Sequence, residues 1–279
     1  MGKRFEGKRV FITGASSGIG AATALELARE GARVGLAARR ADRLEAVRRQ
    51  IENLGGQAVT AVCDVKDRAS LDAAVARVVE ALGGIDLAIA NAGFGVTGPV
   101  EELGTEGFRR QFDTNVFGVI DTVYAVLPHL VASKGHLAIV SSVLGRVGLP
   151  LSSPYCASKS AIYALSECLY YELAPKGVAV TCILPGIIAS EIRSVDNLGV
   201  YHPGTDDTAP KSLIVPTEKA AREIVSKLHK RKFEAVITGH GKIILWLSRH
   251  FSGLVRTFVT RMLAKRDLMG RSRKPKAEG

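Results

Sequence analysis

The chain has 279 residues, 47% hydrophobic and 23% charged, enough for one large domain near the upper limit for a single core. No apolar run follows Met1-Gly2-Lys3-Arg4-Phe5-Glu6, and the longest apolar stretches fall short of the roughly 20 residues of a membrane span, so neither a secretory signal nor a spanning helix is expected. The net charge of +11 is lopsided: His240 to Gly279 holds ten Lys or Arg against Asp267 and Glu278, a net of +8, which leaves +3 for the other 239 residues.

Lys8 to Thr13 reads as a buried strand, and Gly14-Ala15-Ser16-Ser17-Gly18-Ile19-Gly20 follows at once. The next stretch has helical spacing at Ala22, Leu25, Leu27 and Ala28 and ends at Gly31, a good helix stop. Strand, glycine turn and helix form the phosphate-binding start of a dinucleotide fold, with a pyrophosphate at the helix N-terminus. Arg33 to Ala38 is a second strand and Ala41 to Leu54 a second helix, for which Asp42 and Glu45 form a capping box. An acid at the end of strand two would bond a ribose hydroxyl, as in NAD, whereas arginine suits the 2′-phosphate of NADP. Here Ala38 is followed by Arg39 and Arg40, so NADP is expected; solvated surface charge is the other reading of the pair.

Gln57 to Cys63 alternates like a strand and ends at Asp64-Val65, followed by a helix from Ala69 to Leu82 and a buried strand from Ile85 to Ala90. Asn91-Ala92-Gly93 closes that strand, either as a cofactor support or as a plain terminus. A helix over Thr105 to Leu130 places the polar Asn115 among Val116, Phe117, Val119 and Ile120, which suits a buried hydrogen bond. His136 to Ser142 is the next strand, and Pro154 is a sound helix start before Tyr155. Lys159 lies one turn on, where an ammonium would favour the Tyr155 phenolate and bring its proton exchange nearer working pH. Val178 to Leu184 is strand six, ending at Pro185-Gly186, while Arg193 to Val215 is a long loop of the kind that forms lids. Thr217 to Lys230 is a helix and Phe233 to Thr238 a last strand. Strands alternating with helices imply one Rossmann-like, doubly wound parallel α/β sheet over residues 1–239. Cys63, Cys156, Cys168 and Cys182 are scattered and read as small core residues in a reducing cytoplasm, with no metal site expected.

Thr13-Gly14-x-x-x-Gly18-x-Gly20, Asn91-Ala92-Gly93, Asn115, Ser142, Tyr155-x-x-x-Lys159 and Pro185-Gly186 together resemble the short-chain dehydrogenases/reductases over about residues 5 to 240. The resemblance implies that Tyr155 is the acid/base on a carbonyl or alcohol oxygen and that Lys159 lowers its pKa and bonds the nicotinamide ribose. Ser142 would hydrogen-bond the substrate oxygen, and Asn115 would hold a water that links Lys159 to solvent. Gly14, Ser16, Ser17, Gly18, Ile19 and Gly20 would wrap the pyrophosphate, with Ser16 and Arg39 near the 2′-phosphate. Asp64 and Val65 would flank the adenine, Asn91, Ala92 and Gly93 would support the ribose, and Pro185, Gly186, Ile188 and Ser190 would meet the nicotinamide. Ser190 stands where the family often has threonine, and it keeps the hydroxyl. A homodimer or homotetramer through the helices holding Asn115 and Tyr155 is implied as well.

Residues 240–279 read as a basic amphipathic extension. Ile243 to Leu247, Phe251, Leu254, Val255, Phe258, Val259, Met262 and Leu263 recur at helical spacing, with Arg249, Arg256, Arg261, Lys265 and Arg266 largely opposite. Such a helix packs its apolar face on protein or lies on an anionic membrane surface; residues 271–279 are expected to be disordered. The expected activity is NADP(H)-dependent interconversion of a carbonyl and a secondary alcohol on a hydrophobic substrate (a 3-oxoacyl chain, a steroid or another ketone), with Phe94, Val143, Leu149 and Ile187 near its mouth. A non-catalytic NADP sensor or scaffold is the alternative, and it would have no need of Ser142, Tyr155 and Lys159 together. Nucleic-acid binding is not expected, because the positive charge is confined to the tail and no aromatic-studded basic face accompanies it.

Overall fold

The computed structural model describes residues 2–202, 204 and 210–271, with side chains as far as residue 261. Seven parallel strands lie in the order β3-β2-β1-β4-β5-β6-β7: β1 (Arg9–Thr13), β2 (Arg33–Ala38), β3 (Gln57–Val62), β4 (Leu87–Ala90), β5 (His136–Val140), β6 (Ala179–Pro185) and β7 (Glu234–Ile237). Their runs of Val, Ile, Leu and Ala lack polar alternation because helices cover both faces. On one face α1 (Gly18–Arg29), α2 (Ala41–Asn53) and α7 (Thr217–His229) enclose a cluster around Ile12, Leu27, Leu36, Ile51 and Ile224. On the other, α3 (Arg68–Leu82), α5 (Gly118–Ser133) and α6 (Ser153–Leu173) enclose Phe11, Leu71, Leu130, Leu137 and Ile162. Each fully buried side chain of this size contributes roughly 1.5–3 kcal/mol. The order reverses beside β1, between β2 and β4, and there the carboxyl ends of the strands part into a crevice.

The strands and helices fall where the sequence places them, with local corrections. Arg40, not Asp42, is the N-cap of α2 and makes no side-chain cap bond, while Glu45 is engaged by Arg48 and Arg49. The expected Thr105–Leu130 helix is two helices: α4 (Val100–Phe112), kinked at Gly104, and α5, joined by a π-helical turn over Asp113–Phe117. Asn115 sits in that turn and is buried. Cys63 and Cys182 are buried as expected, Cys156 is half-buried and Cys168 is exposed.

The tail is also two helices, α8 (Gly239–His250) and α9 (Ser252–Arg271), broken at Phe251. Leu245 of α8 is buried against Val143, Tyr163, Cys182 and Leu184, so α8 packs on the domain through one side. Ile243, Trp246, Leu247, Phe251, Leu254 and Phe258 are exposed, so the expected apolar face is not covered as a unit. The α9 side chains from Met262 onward and the segment 272–279 lie outside the described residues.

Candidate active site

The glycine turn after β1 is held by its neighbours. The Thr13 hydroxyl accepts from the Asn91 and Ala92 backbone N–H groups at 3.0 and 3.2 Å, and the Asn91 amide donates back to the Thr13 and Gly14 carbonyls at 2.9 and 3.2 Å. Gly14 has φ +67°, and a Cβ on Gly20 would come within 2.3 Å of the Gly14 carbonyl oxygen, so both positions need glycine. Ser17 caps α1 with backbone alone, and no acidic side chain enters the first turn. The first N–H groups of α1, at Gly18, Ile19 and Gly20, therefore face the crevice without a capping side chain, an arrangement suited to a pyrophosphate. Gly18 has φ +53° and lies under Ser190.

Arg40 rather than Arg39 reaches this turn. Its guanidinium donates to the Ser17 hydroxyl at 2.8 Å, to Ser16 at 3.3 Å and to the Glu191 carboxylate at 2.8 Å. Arg39 is exposed and donates to the Gly199 carbonyl at 3.4 Å. Asp64 and Val65 follow β3 at the same edge: Asp64 accepts from the Lys66 N–H, and Val65 is buried beneath Gly118.

Asn115 is 0% exposed and accepts from the Phe94 N–H at 3.1 Å while donating to the Phe94 carbonyl at 3.0 Å and to Ser158 at 3.3 Å. It pins the loop after β4, and Gln111 assists through the Val96 N–H and the Phe94 carbonyl. Gly93 closes the gap, since a Cβ there would lie 3.0 Å from the Asn115 oxygen and 3.6 Å from Lys159 Nζ.

Ser142, Tyr155 and Lys159 meet where β5 ends and α6 begins. Ser141 donates to the Lys159 carbonyl at 2.7 Å and Ser160 donates to Gly145 at 2.9 Å, locking the strand end to the helix. Lys159 is 4% exposed, donates to the Val140 carbonyl at 2.8 Å and lies 5.8 Å from the Tyr155 ring centre. Burial pushes its ammonium down to about 8. Burial pushes the Tyr155 phenol above the ordinary tyrosine range, against a hydrogen bond with Ser142 and the positive charge of Arg193. Lysine is thus the member of the pair brought toward neutral pH. The Ser142 oxygen accepts from the Leu144 N–H at 3.1 Å, which leaves its hydroxyl proton to donate.

Pro185, the last residue of β6, is buried, and the loop that follows it is tied to distant parts of the chain. The Ile187 N–H donates to His240 Nε2 at 2.9 Å, and Ile188 pairs with Val215. The half-buried His240 is pushed below the ordinary histidine range by desolvation, which favours the neutral, accepting ring. Phe94, Leu149 and Ile187 stay at least partly open, whereas Val143 turns into the cluster under α8. Sequence reasoning did not single out Thr13, Arg193 or His240 for the site, and Arg40 entered only as Arg39's partner. Only Thr13 and Arg40 carried a local signal, the hydroxyl ending β1 and the second basic residue after β2.

A family model described as short chain dehydrogenase matches residues 8–198. An uncharacterized oxidoreductase of Myxococcus xanthus is 38% identical over 232 residues, covering 76% of this chain and 91% of the relative. The crystal structure of an alcohol dehydrogenase from Thermococcus sibiricus, complexed with 5-hydroxy-NADP, is 28% identical with a TM-score of 0.72 and covers 82% of this chain and 96% of that one. A Burkholderia phymatum short chain dehydrogenase/reductase in complex with NAD shares the fold, with a TM-score of 0.80 at 24% identity over 90% of this chain and 96% of that one.

Proposed function

The chain belongs to the short-chain dehydrogenase/reductase family, and from that premise we propose that it interconverts a ketone and a secondary alcohol with NADP(H), Tyr155 serving as acid and base. The observation that carries the reading is the convergence of Ser142, Tyr155 and Lys159 beside a glycine turn whose helix N-terminus is ready for an anion. A nicotinamide dinucleotide bound along that turn supplies the hydride for the carbonyl carbon. Tyr155 gives its phenolic proton to the carbonyl oxygen, Ser142 donates a hydrogen bond to the same oxygen, and Lys159 stabilises the phenolate left behind. Asn115 serves as the pin of the Phe94 loop. Gly14, Ser16, Ser17, Gly18, Ile19 and Gly20 hold the pyrophosphate, Asp64 and Val65 the adenine, Asn91 to Gly93 the ribose, and Pro185, Gly186, Ile188 and Ser190 the nicotinamide.

NADP over NAD is supported by Arg40 on Ser16 and Ser17, with Arg39 beside it, and by the absence of an acid at Ala38. Exposed Phe117, Tyr124 and Tyr171 on the outer faces around α5 and α6 support a homo-oligomer through those helices. Exposed Trp246, Leu247 and Phe251 near Arg249 support contact of α8 with an anionic membrane surface.

The test is oxidation of NADPH and NADH against a panel of hydrophobic ketones. Turnover with NADPH at a kcat/KM at least tenfold above NADH is expected. No turnover across the panel, with NADPH still bound, would favour a cofactor sensor.

A further inference from the structure

Two arms of the chain meet over the glycine turn. Arg40 comes from the start of α2, and Glu191 comes from the loop after β6. Their side chains pair at 2.8 Å and stay 32% and 27% exposed. Ser190, the residue before Glu191, stands over Gly18, its Cβ 3.4 Å from where a Cβ on that glycine would lie. Ser17, which caps α1, accepts from the same guanidinium. The pair therefore lies at the α1 N-terminus, beside the place proposed for the cofactor's phosphates.

The Arg40 guanidinium is already committed there. Its Nη2 has two hydrogens and faces three oxygens: Ser17 at 2.8 Å, Glu191 at 2.8 Å and Ser16 at 3.3 Å. Nε also points at Ser16, at 3.4 Å, and the Tyr201 ring centre lies 5.5 Å from the guanidinium carbon. Carboxylate and phosphate oxygens ask the same of a guanidinium, a charge-assisted bond to its planar edge. The Glu191 carboxylate is thus an internal anion on the group that a 2′-phosphate needs, and a second anion there meets its repulsion.

The same carboxylate helps to hold the loop over residues 191–201. Arg39 donates to the Gly199 carbonyl at 3.4 Å, and Asn197 exchanges bonds of 2.9 and 2.8 Å with the Thr97 backbone on the loop after β4. A bridge between Val195 and Tyr201 closes the loop on itself. Among these ties, the carboxylate on Arg40 is the one that competes directly with an anionic ligand.

We propose that Glu191 is a specificity residue for the cofactor, a counter-anion that latches Arg40 until the 2′-phosphate of NADP takes its place. The displacement releases the 191–201 loop, whereas NAD, with no 2′-phosphate, leaves the latch closed. The latch rests on Arg40 being the phosphate contact of the proposed NADP(H) activity. Glu191 thereby weakens NADP binding and makes the loop respond to which cofactor is present.

The experiment uses the full chain, with the Kd of NADPH and of NADH taken by fluorescence and amide hydrogen exchange over residues 192–201 read by mass spectrometry. Glu191→Gln should tighten NADPH about fivefold, the scale of a partly exposed ion pair, and leave NADH within about twofold. In an Arg40→Gln background the same change should leave NADPH within about twofold, because the group contested by the two anions is gone. Wild-type exchange over 192–201 should be faster in the NADPH complex than in the NADH complex, and Glu191→Gln should abolish that difference. If Arg40→Gln weakens NADPH while Glu191→Gln leaves it unchanged or weakens it, the latch is overturned and the Arg40 contact stands. If Arg40→Gln leaves NADPH unchanged, the contact itself falls and the latch with it.

Discussion

Asn115 and Phe258 each stand on a helical segment, yet they meet opposite surroundings. Asn115 is 0% exposed and its amide bonds both backbone groups of Phe94. Phe258 is 70% exposed on α9, two residues from Arg256, which is also exposed. The crevice over β1, β4 and β5 is built of polar groups that satisfy one another, so its geometry is fixed before any ligand arrives. Along α8 and α9, apolar and cationic groups remain open to solvent. The first region fits chemistry, which needs atoms held in place; the second fits recognition, which needs groups still free to bind.

If that contrast holds, substitutions should fall on stability in the first region and on ligands in the second. The largest loss is expected for Asn115→Ala, which leaves the Phe94 N–H without its partner and should cost about 2 to 3 kcal/mol in urea unfolding. A loss below about 0.5 kcal/mol would mean that the crevice is not held by its side chains. Next comes acid sensitivity. His136 on β5 is buried with Nε2 2.8 Å from the Thr181 hydroxyl, and desolvation pushes its pKa down to about 3. The unfolded chain binds this proton near pH 6.5 and the folded one far lower, so the stability is whole above pH 6.5 and falls away toward pH 3. Between pH 7 and pH 5 the loss should be about 2 kcal/mol, and His136→Gln should flatten it. A wild-type urea midpoint that stays constant over that range would contradict the buried neutral ring.

At the border between the regions, Arg40→Gln should weaken NADPH binding about tenfold and leave NADH within about twofold. Arg39→Gln should have the smaller effect on NADPH; the reverse order would return the phosphate contact to Arg39. The smallest effect is expected at Phe258→Gln, which should alter unfolding by less than about 0.5 kcal/mol. A larger loss would show that α9 is part of the folding core.

The sheet was legible because its strands are short apolar runs closed by punctuation: Arg33–Ala38 ends at two arginines and β4 ends at Asn91. What escaped depends on backbone detail or on distant partners. Which of Arg39 and Arg40 turns inward follows from the extended N-cap geometry of Arg40, which residue types alone do not encode. Asp42 and Glu45 have capping-box spacing, but the helix starts two residues too early for them to use it. The tail shows a continuous helical period, yet Phe251 leaves helical geometry and splits it. The loop after Ser190 is tied through Glu191 to Arg40 and through Asn197 to Thr97, contacts 151 and 100 residues apart. No local pattern announces them.

The most direct measurement is steady-state ketone reduction by Tyr155→Phe beside the wild type, with the NADPH Kd of each taken by fluorescence. A fall in kcat of about 10² or more, with Kd within about twofold, is the expected result. A variant that keeps more than a tenth of the wild-type kcat would place the proton on another group and contradict the central claim.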